Sequence, residues 1–133
     1  MFGLPGYAYV YYIYGNYYCL NVVTGPIAKG EAVLLRAVEP VSGIDIMHNN
    51  RGSNWTKYNL ANGPGKLCMA YGIDKRFNGH NLSMSPLYLH GPEQQRKFDI
   101  ISTGRIGVSA GKDKLLRFIK SGSNYLSRRE QRE

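Results

Sequence analysis

The chain is poor in several things. It has two cysteines, Cys19 and Cys68, in 133 residues; that is too few for a disulfide framework, and a reducing compartment is the default reading. No stretch approaches 18 apolar residues without Gly, Pro or polar breaks, which argues against a transmembrane helix. No basic segment precedes an apolar one in the manner of a secretory signal. A soluble, unsecreted protein of the cytoplasm or nucleus is expected. In that setting the glycosylation patterns Asn54-Trp-Thr56 and Asn81-Leu-Ser83 read as chance. The three histidines, His48, His80 and His90, stand at no metal-ligand spacing from the cysteines, so no metal is expected, and no cofactor. The G-x-S-x-G elbow, the H-E-x-x-H pair and the dinucleotide fingerprint are missing. The nine acidic residues are scattered, none in an arrangement that marks a general base.

What is present is basic and aromatic. Hydrophobic residues at 43% and aromatics at 12% exclude a disordered tail, and the length suits a single domain over residues 1–133. Seventeen Lys/Arg against nine Asp/Glu give +8. A domain this basic suits a polyanion, nucleic acid before membrane; a merely solvated basic face is the plain alternative. Residues 1–28 carry no Asp, Glu, Lys or Arg at all, whereas ten of the seventeen basic residues fall between Arg96 and Arg132.

Seven of the eleven tyrosines lie within residues 7–18. The run Tyr7-Ala-Tyr-Val-Tyr-Tyr-Ile-Tyr14 alternates with period two and predicts a strand. Gly15-Asn16 tolerates positive φ and can turn a two-residue hairpin, with Tyr17 to Val23 as the returning strand. Tyr14 falls at or beside the tip, where a large ring has little protein to pack against and a wedging or stacking role becomes credible. The other tyrosines read first as sheet core. Both faces of the first strand are apolar, so either later strands flank it or part of the fold is missing.

Glu31 to Val38 predicts a third strand with Arg36 inside an apolar run, where the charge must be paired or face a cleft. Ser42 to about Arg51 predicts a helix with Ser42 as N-cap and Gly52 as its stop. Asn62 can cap a helix begun by Gly63-Pro64 and ended at Gly72; the small residues beside Lys66 make either a plain cap or a phosphate seat. Phe98–Ile101 and Leu115–Ile119 predict two later strands, with Gly104 to Gly107 as a turn or bulge between them. The tail from Ser127 is charged. The fold expected is α+β, with a curved, mainly antiparallel sheet, a protruding β-hairpin and surrounding helices.

The segments Tyr9-Val-Tyr-Tyr-Ile-Tyr-Gly15, Asn21-Val-Val, Ala32-Val-Leu-Leu-Arg-Ala-Val-Glu-Pro40, Asn62-Gly-Pro-Gly-Lys-Leu-Cys68 and Arg105-Ile-Gly-Val108 together resemble the alkyladenine (3-methyladenine) DNA glycosylase family, in order and spacing from Met1 to about Ser127. The resemblance implies a base-excision repair enzyme that flips a damaged purine from duplex DNA and hydrolyses its N-glycosidic bond with an activated water and no metal. By match it makes Tyr14 the wedge that fills the gap left by the flipped nucleotide, Tyr11 an aromatic that stacks the extruded base, and Asn21 a pocket amide that disfavours normal guanine. Arg36 and the Ile106 carbonyl would hold the attacking water, and Asn16, Tyr17, Lys66, Arg105 and Gly107 would follow the DNA backbone. The partner expected is duplex DNA carrying a damaged purine, bound by a monomer, with no membrane. The family's general-base glutamate belongs to an E-x-Y segment upstream of the hairpin, and nothing here matches it. Met1-Phe2 aligns with an internal point of the pattern. The expectation is therefore an N-terminally truncated member, the C-terminal two-thirds of the family's domain, with impaired hydrolysis. The alternatives are a non-catalytic module that inserts Tyr14 into damaged duplex, or an RNA-binding sheet.

Overall fold

The computed structural model describes residues 1, 3–13, 15–92 and 97–127. Three strands form the main sheet: β1 (Ala8–Ile13), β2 (Tyr17–Val23) and β3 (Ala32–Leu34), in the order β1-β2-β3, both pairings antiparallel. Helices α1 (Ile44–Arg51) and α2 (Pro64–Tyr71) and a 3₁₀ turn at Lys75–Phe77 follow. A second sheet then pairs β4 (Ile100–Thr103) with β5 (Arg117–Lys120), also antiparallel. The architecture is α+β as expected, but the strands divide between two sheets instead of sharing one.

The central position of β2 explains its composition. Cys19 and Leu20 are each 3% exposed, one on each face, because the strand has neighbours on both sides and a helix layer above. Leu20 joins Ala8 and Val10 of β1, Met47 of α1, and Leu67, Cys68 and Ala70 of α2 in the core, with Leu60 and Ala61 filling the space before α2.

β1 lies at the sheet edge, and part of its outer rim is covered by a later segment that is not a strand. The Ala8 N–H donates to the His80 carbonyl (2.8 Å), the Gly79 N–H to the Ala8 carbonyl (2.8 Å), and the Leu82 N–H to the Gly6 carbonyl (3.0 Å). The Val10 N–H donates to Asn78 Oδ1 at 3.0 Å. These bonds satisfy backbone groups that an edge strand otherwise leaves unpaired. The segment 78–82 therefore supplies a neighbour that the period-two pattern of Tyr7 to Tyr14 requires.

Local signals account for most element ends, and four expectations need correction. The hairpin register pairs Ile13 with Tyr17, leaving three residues between them instead of two; Gly15 (φ 79°) and Asn16 (φ 67°) do adopt the left-handed conformation expected of them. The third strand shrinks to Ala32–Leu34. Beyond it the Leu35 N–H still donates to the Leu20 carbonyl, but the Val38 N–H turns to Ala61, so the chain leaves the sheet for the helical layer. Ser42 does not cap α1: the N-cap is Gly43, left-handed at φ 72°, with no side-chain cap bond. Asn62 does not cap α2 either. The cap is Gly63, with Pro64 in the first turn where its missing N–H has no cost, and the Asn62 amide instead joins Leu126 and Lys66. Gly52 and Gly72 end the two helices as expected.

Candidate active cleft and nucleic-acid surface

The segment after β3, the Arg105–Val108 loop, β5 and the residues after it enclose an open cleft of about 820 Å³, within the range of small-ligand sites. Tyr11, Arg36, Arg105 and Ile106 line it together, although 25 to 95 positions separate Tyr11 from the others in sequence. Among the described residues no ion pair involves Arg36, and its Nε is buried without a hydrogen-bond partner. A buried donor left unmade destabilises a fold by about 1–3 kcal/mol.

Tyr11 sits on the sheet face opposite the core. Its ring lies against Tyr9, centroids 5.3 Å apart at 37°, and it is 37% exposed, so one part is braced while the rest faces the cleft. Burial, then the neighbouring Cys19 thiol, pushes the Tyr11 phenol above its ordinary value. Cys19 is also raised by burial, opposed by a hydrogen bond with Tyr11 and by the Arg36 charge. Cys19 thus joins Tyr11 and Arg36 in one electrostatic group, as the Tyr11–Cys19 pairing allows. The sequence carried a signal for this only through the hairpin register. Both thiol and phenol stay neutral around pH 7, which leaves the arginine as the group's charge.

Asn21 shares that face through its pairing with Tyr9. It is 7% exposed, and its amide donates to the Tyr9 carbonyl at 3.2 Å; it is not among the residues that line the cleft. Glu39, which the sequence did not single out, does line it. Gly107, left-handed at φ 71°, turns the loop that carries Arg105 and Ile106. Tyr14 lies outside the described residues.

A second group assembles at the hairpin end, away from the cleft. Asn16 Oδ1 accepts the Tyr12 hydroxyl. The Tyr17 ring packs onto Gly65 so closely that a Cβ there would stand 2.7 Å from the ring; a glycine in the first turn of α2 is what lets the helix start reach the hairpin. Lys66 donates to Asn62 Oδ1 at 3.3 Å. Asn16, Tyr17 and Lys66 therefore belong to one surface, and Arg105 with Gly107 to another. Among the described residues no group of three or more His, Cys, Asp or Glu could hold a metal, and no described helix is long and apolar enough to cross a membrane.

Residues 1–124 match the family model described as methylpurine-DNA glycosylase. Proteins named "Putative 3-methyladenine DNA glycosylase" are similar along nearly the whole chain. That of Carboxydothermus hydrogenoformans is 48% identical over 130 residues, covering 97% of this chain and 68% of its own length. That of Methanoculleus marisnigri is 47% identical over 132 residues with the same coverage. That of Clostridium novyi is 43% identical over 139 residues, again across 97% and 68%. The chain spans about two-thirds of the length of these relatives.

Proposed function

Because this chain belongs to the methylpurine-DNA glycosylase family, we propose that it binds duplex DNA carrying an alkylated or deaminated purine, receives the extruded base in the cleft, and serves hydrolysis of its N-glycosidic bond. The observation that carries this reading is Arg36, whose buried Nε has no partner in a cleft it shares with an aromatic ring and a turned loop. An aromatic face such as Tyr11 stacks an unpaired base for about 1–3 kcal/mol. Tyr14 takes the base's place in the stack as a wedge. Asn21 discriminates among purines from behind the Tyr9–Tyr11 pair. Asn16, Tyr17 and Lys66 hold the backbone on one side of the extruded nucleotide, and Arg105 and Gly107 on the other.

In the reaction, water forms a bond to the sugar C1′ as the C1′–N bond breaks and the purine leaves with the bonding electrons. A proton must leave the water. Arg36, a permanent cation, orients that water with the Ile106 carbonyl but does not take the proton. Among the described residues Glu39 is the one carboxylate lining the cleft, and its side chain is exposed. A positioned base contributes about 10²–10⁴-fold; we therefore infer that these residues bind the lesion well and hydrolyse it slowly.

The test is a pair of measurements on duplex containing hypoxanthine or an alkylated adenine: binding by anisotropy and base release with time. The expected result is preferential binding to the lesion duplex, weakened by Tyr14→Ala and Arg36→Met, with slow release. Equal affinity for damaged and intact duplex, indifferent to Arg36, overturns the reading. Fast release abolished by Glu39→Gln overturns the inference of slow hydrolysis and makes Glu39 the base.

A further inference from the structure

Residues 46–73 contain no acidic side chain, and their only Lys and Arg are Arg51, Lys57 and Lys66. The fold lays this segment against the hairpin, itself free of charge, through the contact of Tyr17 with Gly65. Burial lowers the Arg51 guanidinium from its ordinary value, and the Tyr17 phenol opposes that shift. This segment thus carries three cations and no carboxylate.

Trp55 gathers two of them. The Arg51 guanidinium stands over its ring, 4.4 Å from the centroid, and the Lys66 ammonium is 5.9 Å from the same centroid. The indole N–H donates to the Arg51 carbonyl at 3.0 Å, which fixes the ring on the helix end. Arg51 is held further by the Leu60 and Asn59 carbonyls, both at 3.0 Å, none of which neutralises its charge. Lys57 stands 5.1 Å from the Tyr58 ring in the same loop. For an interior role Trp55 is badly placed: it is 38% exposed and lies outside the core.

We propose that Trp55 is a positioning residue for DNA, holding Arg51 and Lys66 side by side so that they meet phosphates of the duplex flanking the extruded nucleotide. The surface extends the footprint beyond the hairpin, and the partner it fits is the sugar-phosphate backbone of a double helix: cations with no ion-pair partner among the described residues, presented on aromatic rings, and reading no sequence. A cation beside an aromatic face is attracted by its quadrupole, which limits its rotamers and reduces the ordering that a phosphate contact requires. The proposal rests on the reading that this chain binds duplex DNA.

Trp55 is the only tryptophan, so its emission reports on this surface alone. Titrating the wild-type protein with short duplex DNA is expected to change Trp55 emission along the binding curve and to protect it from acrylamide, both reversed by salt. Trp55→Ala and Lys66→Met should each flatten the salt dependence of affinity by about one phosphate contact. The double variant should lose less than the sum of the two, and Trp55→Phe should retain most of the slope. Thermal unfolding of each variant separates a folding loss from a contact loss, since a structural role for Trp55 lowers stability without changing the slope. Unmoved emission at saturating DNA, or a wild-type slope in Trp55→Ala, overturns the proposal. If lesion duplex still binds and still depends on Arg36, that failure leaves the glycosylase reading standing; if no duplex binds at all, both fall.

Discussion

β2 and β5 both mix apolar residues with polar ones, β2 around Asn21 and β5 between Arg117 and Lys120, and they end in opposite surroundings. In β2, Cys19, Leu20 and Val23 are each 3% exposed. In β5, Ile119 is buried but Phe118 next to it is 64% exposed. The difference lies in layers. β2 has a strand on either side and α2 across one face, whereas β5 pairs only with β4 and sends nothing into the main core. A two-stranded ribbon is marginal by itself. The division matches the two tasks: the three-stranded sheet with its helices supplies rigidity, and the ribbon supplies a wall for the cleft.

The comparison can be broken first where it predicts most. Leu67 of α2 is 2% exposed, and Leu67→Ala should reduce unfolding free energy by about 2–5 kcal/mol in urea. A loss below about 1 kcal/mol means that the helix layer does not bear on β2 as argued. Gly65→Ala comes next, because the added Cβ meets the Tyr17 ring at 2.7 Å; overpacking of this kind costs about 1–3 kcal/mol. Truncating the ring as well, in Gly65→Ala with Tyr17→Ala, should recover part of that loss. No recovery in the double variant breaks the account of how the hairpin meets α2.

A pH series sharpens the same contrast. Burial, with the nearby Cys19 thiol adding to it, pushes Cys68 up from 9.0 to about 12. The neutral thiol is the folded form, so its contribution is complete below pH 9 and is lost as pH rises toward 12, where the unfolded chain has already released the proton. Denaturation midpoints should be flat up to pH 9 and fall above it. The fall should lessen in Cys68→Ala, which is itself destabilised by a lost contact; an unchanged alkaline fall in that variant assigns the effect elsewhere. Smallest of all, Phe118→Ser on the ribbon should change stability by no more than about 0.5 kcal/mol, and a loss comparable to Leu67→Ala erases the distinction between the two regions.

The parts legible in the sequence were those governed by neighbours along the chain. Tyr17 to Val23 read as a strand and is one, because its alternation and the Gly15-Asn16 turn act within a few residues. Pro64 and Gly72 bounded α2 through their own backbone preferences. The third strand was read too long because Leu35 to Val38 look like strand residues, yet Val38 bonds to Ala61, a partner no local pattern announces. The caps failed similarly: Ser42 and Asn62 have the right chemistry, but glycines took the positions and Asn62 was drawn to Leu126, 64 residues away.

From composition and periodicity alone came a basic α+β protein with an uncharged tyrosine hairpin, because charge and period-two alternation are properties of residues and their neighbours. The ordered motifs added the family and its candidate residues. Only the tertiary structure decided that Tyr11, Cys19, Arg36 and Ile106 converge, that 78–82 covers the rim of β1, and that Trp55 gathers two cations. Those arrangements arise when strands from distant parts of the chain pair and a helix closes over them, and burial then sets which charges are left without a partner.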